Sequence, residues 1–249
     1  MLKKIFIALP VILLVAVLGF VAWGSAALGP TPEAVVALQP DMRVTVETVQ
    51  DWTVFRPASS QPRTGLIFYP GGKVDYRSYA PLLREIAAHG YQVVLVPMPI
   101  NLAIFGINKA QAVIDAFPNI QTWAIAGHSL GGSMAAQFVL DHPGEISAIA
   151  FWASYPASSM ANLPIPALSI VGSQDGLATQ PKIDQSRALL PADARIVIIP
   201  GGNHAQFGAY GLQPGDGKAT IPAEAQWEQA VKETVNLLDR FNSVSGGPR

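Results

Sequence analysis

The 249-residue chain contains no cysteine, which excludes disulfides, thiolate nucleophiles, iron–sulfur clusters and thiolate zinc sites. Charge is scarce as well. Only 13% of residues are Asp, Glu, Lys or Arg, and sixteen basic against seventeen acidic groups leave a formal net charge of −1. No basic field exists to hold phosphates, so nucleic acid is not an expected partner. The four histidines are scattered and none falls in an H-E-x-x-H string, so a helical zinc site has no support and no cofactor is expected. What is plentiful is apolar: 50% of residues are hydrophobic and the mean hydropathy is +0.30, too high for general disorder. The length suits one α/β domain with a sizeable core.

Much of that apolarity is at the N-terminus. After Lys3 and Lys4, seventeen of the nineteen residues from Ile5 to Trp23 are apolar, and no charge recurs before Glu33. At 1.5 Å per residue a helix over this run is about 28 Å long, close to the roughly 30 Å hydrocarbon layer. It reads as a membrane anchor. The same segment also reads as a cleavable secretory signal, with Ser25, Ala26 and Ala27 as a small-residue cleavage site; burial in a core is the third alternative. Either of the first two leaves the lysines in the cytoplasm and exports the rest of the chain, which carries fourteen basic and seventeen acidic residues. The expected divisions are an anchor or signal over 1–27, a Pro-containing connector over 28–43, a catalytic domain over 44–241 and a flexible tail over 242–249.

Between these ends, short β-rich runs alternate with helical patterns. Val44–Val49 and Thr53–Arg56 form an expected antiparallel pair. Leu66–Tyr69, Val93–Val96, Thr122–Ala126, Ile146–Trp152, Ala167–Val171 and Ile196–Ile199 are mostly continuous apolar runs, as strands buried on both faces require. Tyr79, Leu82, Leu83, Ile86 and Ala87 recur at helical spacing before Gly90, and Trp227, Val231, Thr234, Val235, Leu238 and Phe241 repeat the pattern after Pro222. The fold class is therefore α/β: a doubly wound, mostly parallel sheet with helices on both faces, ligands binding at the carboxyl ends of the strands.

Chemistry-bearing residues stand at such ends. Gly127-His128-Ser129-Leu130-Gly131 follows one strand and opens a helix over Gly132–Leu140, the context in which G-x-S-x-G lifts a serine out of a tight turn. A plain helix cap is the alternative for Ser129. A serine hydroxyl needs an adjacent base, oriented by a carboxylate. His89 and His142 stand at helix ends and His128 lies inside the turn, which leaves His204, after Ile196–Ile199. In Ser-Asp-His order the acid is Asp175, in Gly172-Ser173-Gln174-Asp175-Gly176, where a turn-forming role is the alternative. Oxyanion donors are expected from the N–H of Leu130 and from Gly72 in Pro70-Gly71-Gly72-Lys73. Lys73 is either solvated or a ligand for a substrate carboxylate. Met98, Phe105, Tyr155 and Phe207 are expected to line the cleft, with Trp152 either beside them or in the core. The long irregular stretch Gly201–Thr220, which also holds Tyr210 and Asp216, is expected at the cleft.

These motifs resemble the α/β-hydrolase superfamily over Thr64–Phe241. Tyr69-Pro70-Gly71-Gly72-Lys73-Val74-Asp75, the Ser129 motif, Ala153-Ser154-Tyr155-Pro156 and Gly201–Gly208 are similar to the small bacterial dienelactone-hydrolase-like branch, the alpha/beta hydrolase fold-5 family. The resemblance implies a serine hydrolase with Ser129, Asp175 and His204 as its triad. Two departures bear on substrate: Pro70 replaces the His that many relatives carry, and dienelactone hydrolases use a cysteine nucleophile. Ester chemistry in general is implied, not dienelactone as substrate. Only about a dozen residues separate Trp152 from Ala167, so no cap domain is expected.

The expected function is a carboxylesterase-type serine hydrolase acting through an acyl-enzyme on a small-molecule or lipid-like ester. It works outside the cytoplasm, held to the membrane through residues 5–23 or secreted. Acyl transfer, thioester cleavage and lipase-like action use the same groups. A catalytically silent, membrane-tethered binding module is the reading from another class.

Overall fold

A computed structural model describes the backbone of residues 2–242 and the side chains of residues 10–241. Val44–Val49 (β1) and Trp52–Pro57 (β2) pair antiparallel. Thr64–Tyr69 (β3), Gln92–Leu95 (β4), Thr122–His128 (β5), Ala148–Trp152 (β6), Ala167–Gly172 (β7) and Arg195–Ile199 (β8) run parallel to one another. Together they make one eight-stranded sheet in the order β1-β2-β4-β3-β5-β6-β7-β8. From β3 the chain winds first to β4 on one side, then to β5 on the other. That reversal opens a crevice beyond the carboxyl ends of β3 and β5, where such sheets bind ligands.

Side chains alternate between the two faces, as the pleat requires. Leu66 and Phe68 of β3, Ala124 and Ala126 of β5 and Trp152 of β6 belong to one buried layer, with Leu83 and Ile86 of Ala80–Ala88 (α3) and Leu238 of Ala223–Asn242 (α7). Ile67 and Tyr69, Ile125, and Phe151 belong to the opposite layer, with Val113 of Lys109–Ala116 (α4) and Phe138 of Leu130–Asp141 (α5). Both faces of the central strands are therefore covered, which is why their sequences read as unbroken apolar runs. Strand β8 departs from that expectation: it is an edge, and Ile198 is 43% exposed.

The connector expected over 28–43 is packed rather than free. Leu28 bridges to Val74, the Thr31 N–H donates to the Ala209 carbonyl at 2.8 Å, and Pro32–Ala37 (α2) buries Ala34 against α3. Arg84 holds its end through the Ala37 carbonyl and an ion pair with Asp41. At the other end Asn242 closes α7, and the remainder of the expected tail, 243–249, lies outside the described residues. The N-terminal helix is Leu2–Ser25 (α1). Among the described residues no helix is long and apolar enough to cross a membrane, and the side chains of Lys3 and Lys4 are outside them.

Phe68 sits at the centre of the layer beneath the crevice, with ring centroids 4.9 Å from Tyr79 and 4.8 Å from Trp152. Phe68→Ala is expected to lower unfolding free energy by roughly 3–5 kcal/mol, read from urea midpoints at unchanged slope.

Candidate active site

The strand-to-helix turn at Ser129 is built by glycine. A Cβ on Gly127 would lie 2.5 Å from the Gly131 carbonyl carbon, and one on Gly131 would lie 2.2 Å from the Tyr69 oxygen and 2.4 Å from the Pro70 oxygen. Backbone cannot yield at such distances, so only glycine lets α5 start against the end of β3. Ser129 takes φ 51 and ψ −123, a conformation L-residues rarely hold, and its N–H donates to the Trp152 carbonyl at 3.0 Å. The Ser154 hydroxyl donates to the Ser129 carbonyl at 2.6 Å. The serine is fixed by backbone on both sides and remains half-buried.

Asp175 lies in the turn beyond β7. Its Oδ1 accepts from the N–H groups of Leu177 at 2.8 Å and Ala178 at 2.7 Å. Beyond β8, His204 presents Nδ1 to Asp175 at 2.9 Å from Oδ2 and 3.2 Å from Oδ1. A carboxylate only accepts, so Nδ1 carries the proton and Nε2 presents its lone pair. His204 Nε2 has no hydrogen-bond partner among the described residues, and the side chains of both residues are almost fully buried. Ser129 and His204 line one cleft of about 270 Å³, together with Leu130, Tyr155, Leu177 and Ala178. They are not hydrogen-bonded to each other, a looseness common in unliganded sites that need both groups.

Gly72 faces the same place from the loop after β3: its Cβ position is 3.1 Å from the Leu130 side chain and 3.6 Å from Leu102. The loop is held on both sides, by Gly71 N–H donating to the Tyr79 hydroxyl at 2.9 Å and Lys73 N–H donating to the Asn101 carbonyl at 2.8 Å.

Of the five side chains expected to line the cleft, Tyr155 does so and the other four do not. The Lys73 ammonium lies over the Trp23 ring, 4.3 Å from its centroid, because Lys73 has a left-handed φ of 59 that turns it toward α1. Met98 is buried in the layer under α4 and α5. Phe105 points outward beside Phe20. Phe207 turns inward and stacks on His128, its ring centroid 5.9 Å away. Trp152 is core, its indole N–H donating to Thr234 at 3.1 Å.

Three residues hold the site in ways the sequence did not assign to them, although Asp216 was expected near the cleft as part of the long loop. Asp216, from the long loop, accepts from the N–H groups of Gly176, His204, Ala205 and Gly217, so one carboxylate ties the Asp175 turn to the His204 turn. Nothing in the spacing signals this. His128 and Tyr79 form a buried pair under the site. The Tyr79 hydroxyl accepts from Gly71 and shares a second hydrogen bond with His128 Nδ1, 2.8 Å away. The His128 ring centroid is 4.5 Å from that of His204. Strand alternation could have located it: with Ala124 and Ala126, His128 falls on the α3 and α7 face. Burial, with a smaller contribution from His204, pushes the His128 imidazole well below its ordinary value, and burial pushes the Tyr79 phenol up.

The alpha/beta hydrolase family profile matches residues 65–228, which takes in the turn at Ser129, Asp175 and His204. The chain belongs to the alpha/beta hydrolase family. As a fold, the hydrolase is similar to two solved structures. One, titled a predicted CIB-like hydrolase from Thermoplasma acidophilum, shares 16% identity at a TM-score of 0.59 over 79% of this chain and 100% of that one. The other, carboxylesterase CesB from Bacillus subtilis, shares 12% identity at a TM-score of 0.58 over 83% and 94%. At those identities the likeness is one of fold. No curated protein matches the sequence.

A histidine held neutral by folding makes the hydrolase sensitive to acid. Since His128 binds its proton less readily folded than unfolded, its contribution is present above 6.5 and is lost as pH falls below that value. Between pH 7.5 and 5.5 the wild type is expected to lose stability more steeply than His128→Asn, by at most about 1.4 kcal/mol per pH unit. Urea unfolding at both pH values measures the difference; equal slopes would contradict it.

Proposed function

We propose that the hydrolase is a serine esterase. Ser129 Oγ attacks the carbonyl carbon of an ester as His204 Nε2 takes the hydroxyl proton, and Asp175 holds the resulting imidazolium in place. The N–H groups of Leu130 and Gly72 stabilise the developing oxyanion. Collapse of the tetrahedral intermediate breaks the carbon–oxygen bond, and His204 returns the proton to the departing alkoxide. Water, deprotonated by His204, then releases the acid and regenerates Ser129.

One observation carries this reading. A strained, half-buried serine and a histidine whose Nε2 has no partner among the described residues share one cleft, and that histidine is oriented by a buried carboxylate. A silent binding module has no use for that combination. The carboxylesterase among the structural neighbours agrees with it as a fold that supports ester chemistry. We further propose that the catalytic domain works outside the cytoplasm, because the basic, then apolar, N-terminal segment has the order of an export signal or anchor.

Ser129→Ala is expected to leave the unfolding midpoint nearly unchanged while lowering turnover of a p-nitrophenyl ester by about 10³-fold or more. Labelling by a fluorophosphonate should disappear with it. Labelling retained in the Ser129→Ala protein would refute the nucleophile, and a folded wild type inert to both probes would favour the binding module.

A further inference from the structure

Helix α1 exposes its apolar side chains without interruption. Val11, Ile12, Leu13, Leu14 and Val15, then Val17, Leu18, Phe20, Val21 and Trp23, are each between 40% and 64% exposed. Consecutive positions on a helix point in all directions, so from Val11 to Leu18 every face is apolar and uncovered. A protein groove would cover one stripe. A lipid phase covers all of them at once.

The helix is not loose on the domain. The Asn101 side-chain amide donates to the Gly24 carbonyl at 3.3 Å, and the Phe20 and Phe105 rings meet edge to face at 6.1 Å. Trp23 lies under the Lys73 ammonium. The two receiving loops, after β3 and after β4, hold left-handed φ values at Lys73, Ile100 and Asn101. Tryptophan and lysine at the end of an apolar helix mark the headgroup level of a bilayer. Here that level adjoins the site, because Lys73 follows Gly72 directly. On the same side Ile104 and Phe105 are 53% and 54% exposed, and their neighbour Leu102 approaches Gly72, which in turn faces Leu130 in the cleft wall.

We propose that the hydrolase docks on a lipid surface through α1, Ile104 and Phe105, and that its substrates are esters of amphiphiles resident in that surface. The cleft, about 270 Å³, is smaller than the pocket a drug-sized ligand fills. It accommodates the scissile carbonyl and a small part of the molecule, while the remaining chain stays in the lipid beside Phe105. This rests on the serine-esterase reading, and Lys73 serves as part of the docking surface rather than as a substrate-carboxylate ligand.

The test compares two substrates with the full-length chain: a soluble p-nitrophenyl acetate, and a fluorogenic long-chain ester embedded in phosphatidylcholine vesicles. Ile104→Asp places a charge on the shelf, away from the cleft. It is expected to lower turnover of the embedded ester by about ten-fold or more, with soluble turnover within about two-fold of wild type and Ile104→Leu restoring the embedded rate. Equal loss on both substrates, or no loss on the embedded one, overturns the proposal. Should wild type turn over neither ester, the esterase reading fails by itself, and vesicle flotation still decides docking: the full chain is expected to float, and a chain left in the aqueous layer overturns it. Recovery of a mature chain beginning after Trp23 in membrane-free medium overturns it as well.

Discussion

The approach of Gly131 to the end of β3 is the contact from which the site's geometry follows. With the Cβ position of Gly131 only 2.2 Å from the Tyr69 oxygen, the first turn of α5 lies directly against the backbone leading into Pro70-Gly71-Gly72. One approach thereby does two things. It forces Ser129 into the strained turn that raises its side chain above the sheet, and it brings the Gly72 loop beside Leu130. The proposed nucleophile and oxyanion donors are set by packing rather than by hydrogen bonds a substrate would have to form. Such preorganisation is what acyl transfer requires of its surroundings.

Other residues maintain that approach from below and from the side. Tyr79 links Gly71 to His128, so the loop after β3 and the residue before Ser129 share one buried phenol. On the far side, Asp216 gathers four backbone N–H groups and holds the Asp175 and His204 turns at a fixed separation. A half-buried carboxylate held by several backbone donors is rigid, and any one donor lost leaves the others misaligned.

Where the sequence is periodic, the structure follows it. The unbroken apolar runs of β3 to β7 are legible because both faces of these strands are covered; β8 misled only in lying at the edge. Ser129, Asp175 and His204 could be singled out because each stands at or in the turn just beyond the end of a parallel strand, and the sheet places those ends side by side. Apart from Tyr155, the lining residues were not legible. The direction of Lys73 depends on a left-handed φ and on Trp23, fifty positions away. Phe207 turns inward because His128 and Trp152 offer it a face to pack on. The connector looked free from its prolines, yet Thr31 and Ala34 bind it to the domain through partners that no local pattern reveals. Spacing encodes which face a residue takes on a regular element; in loops, distant contacts decide it.

The proposed chemistry passes through a covalent acyl group on Ser129. Its most direct test is mass spectrometry of the wild-type chain, acid-quenched during turnover of a p-nitrophenyl ester and digested. A single acyl adduct is expected, on the peptide carrying Gly127-His128-Ser129-Leu130-Gly131 and localised to Ser129. Steady turnover with the adduct on another residue, or an adduct that forms and fails to turn over, would contradict it.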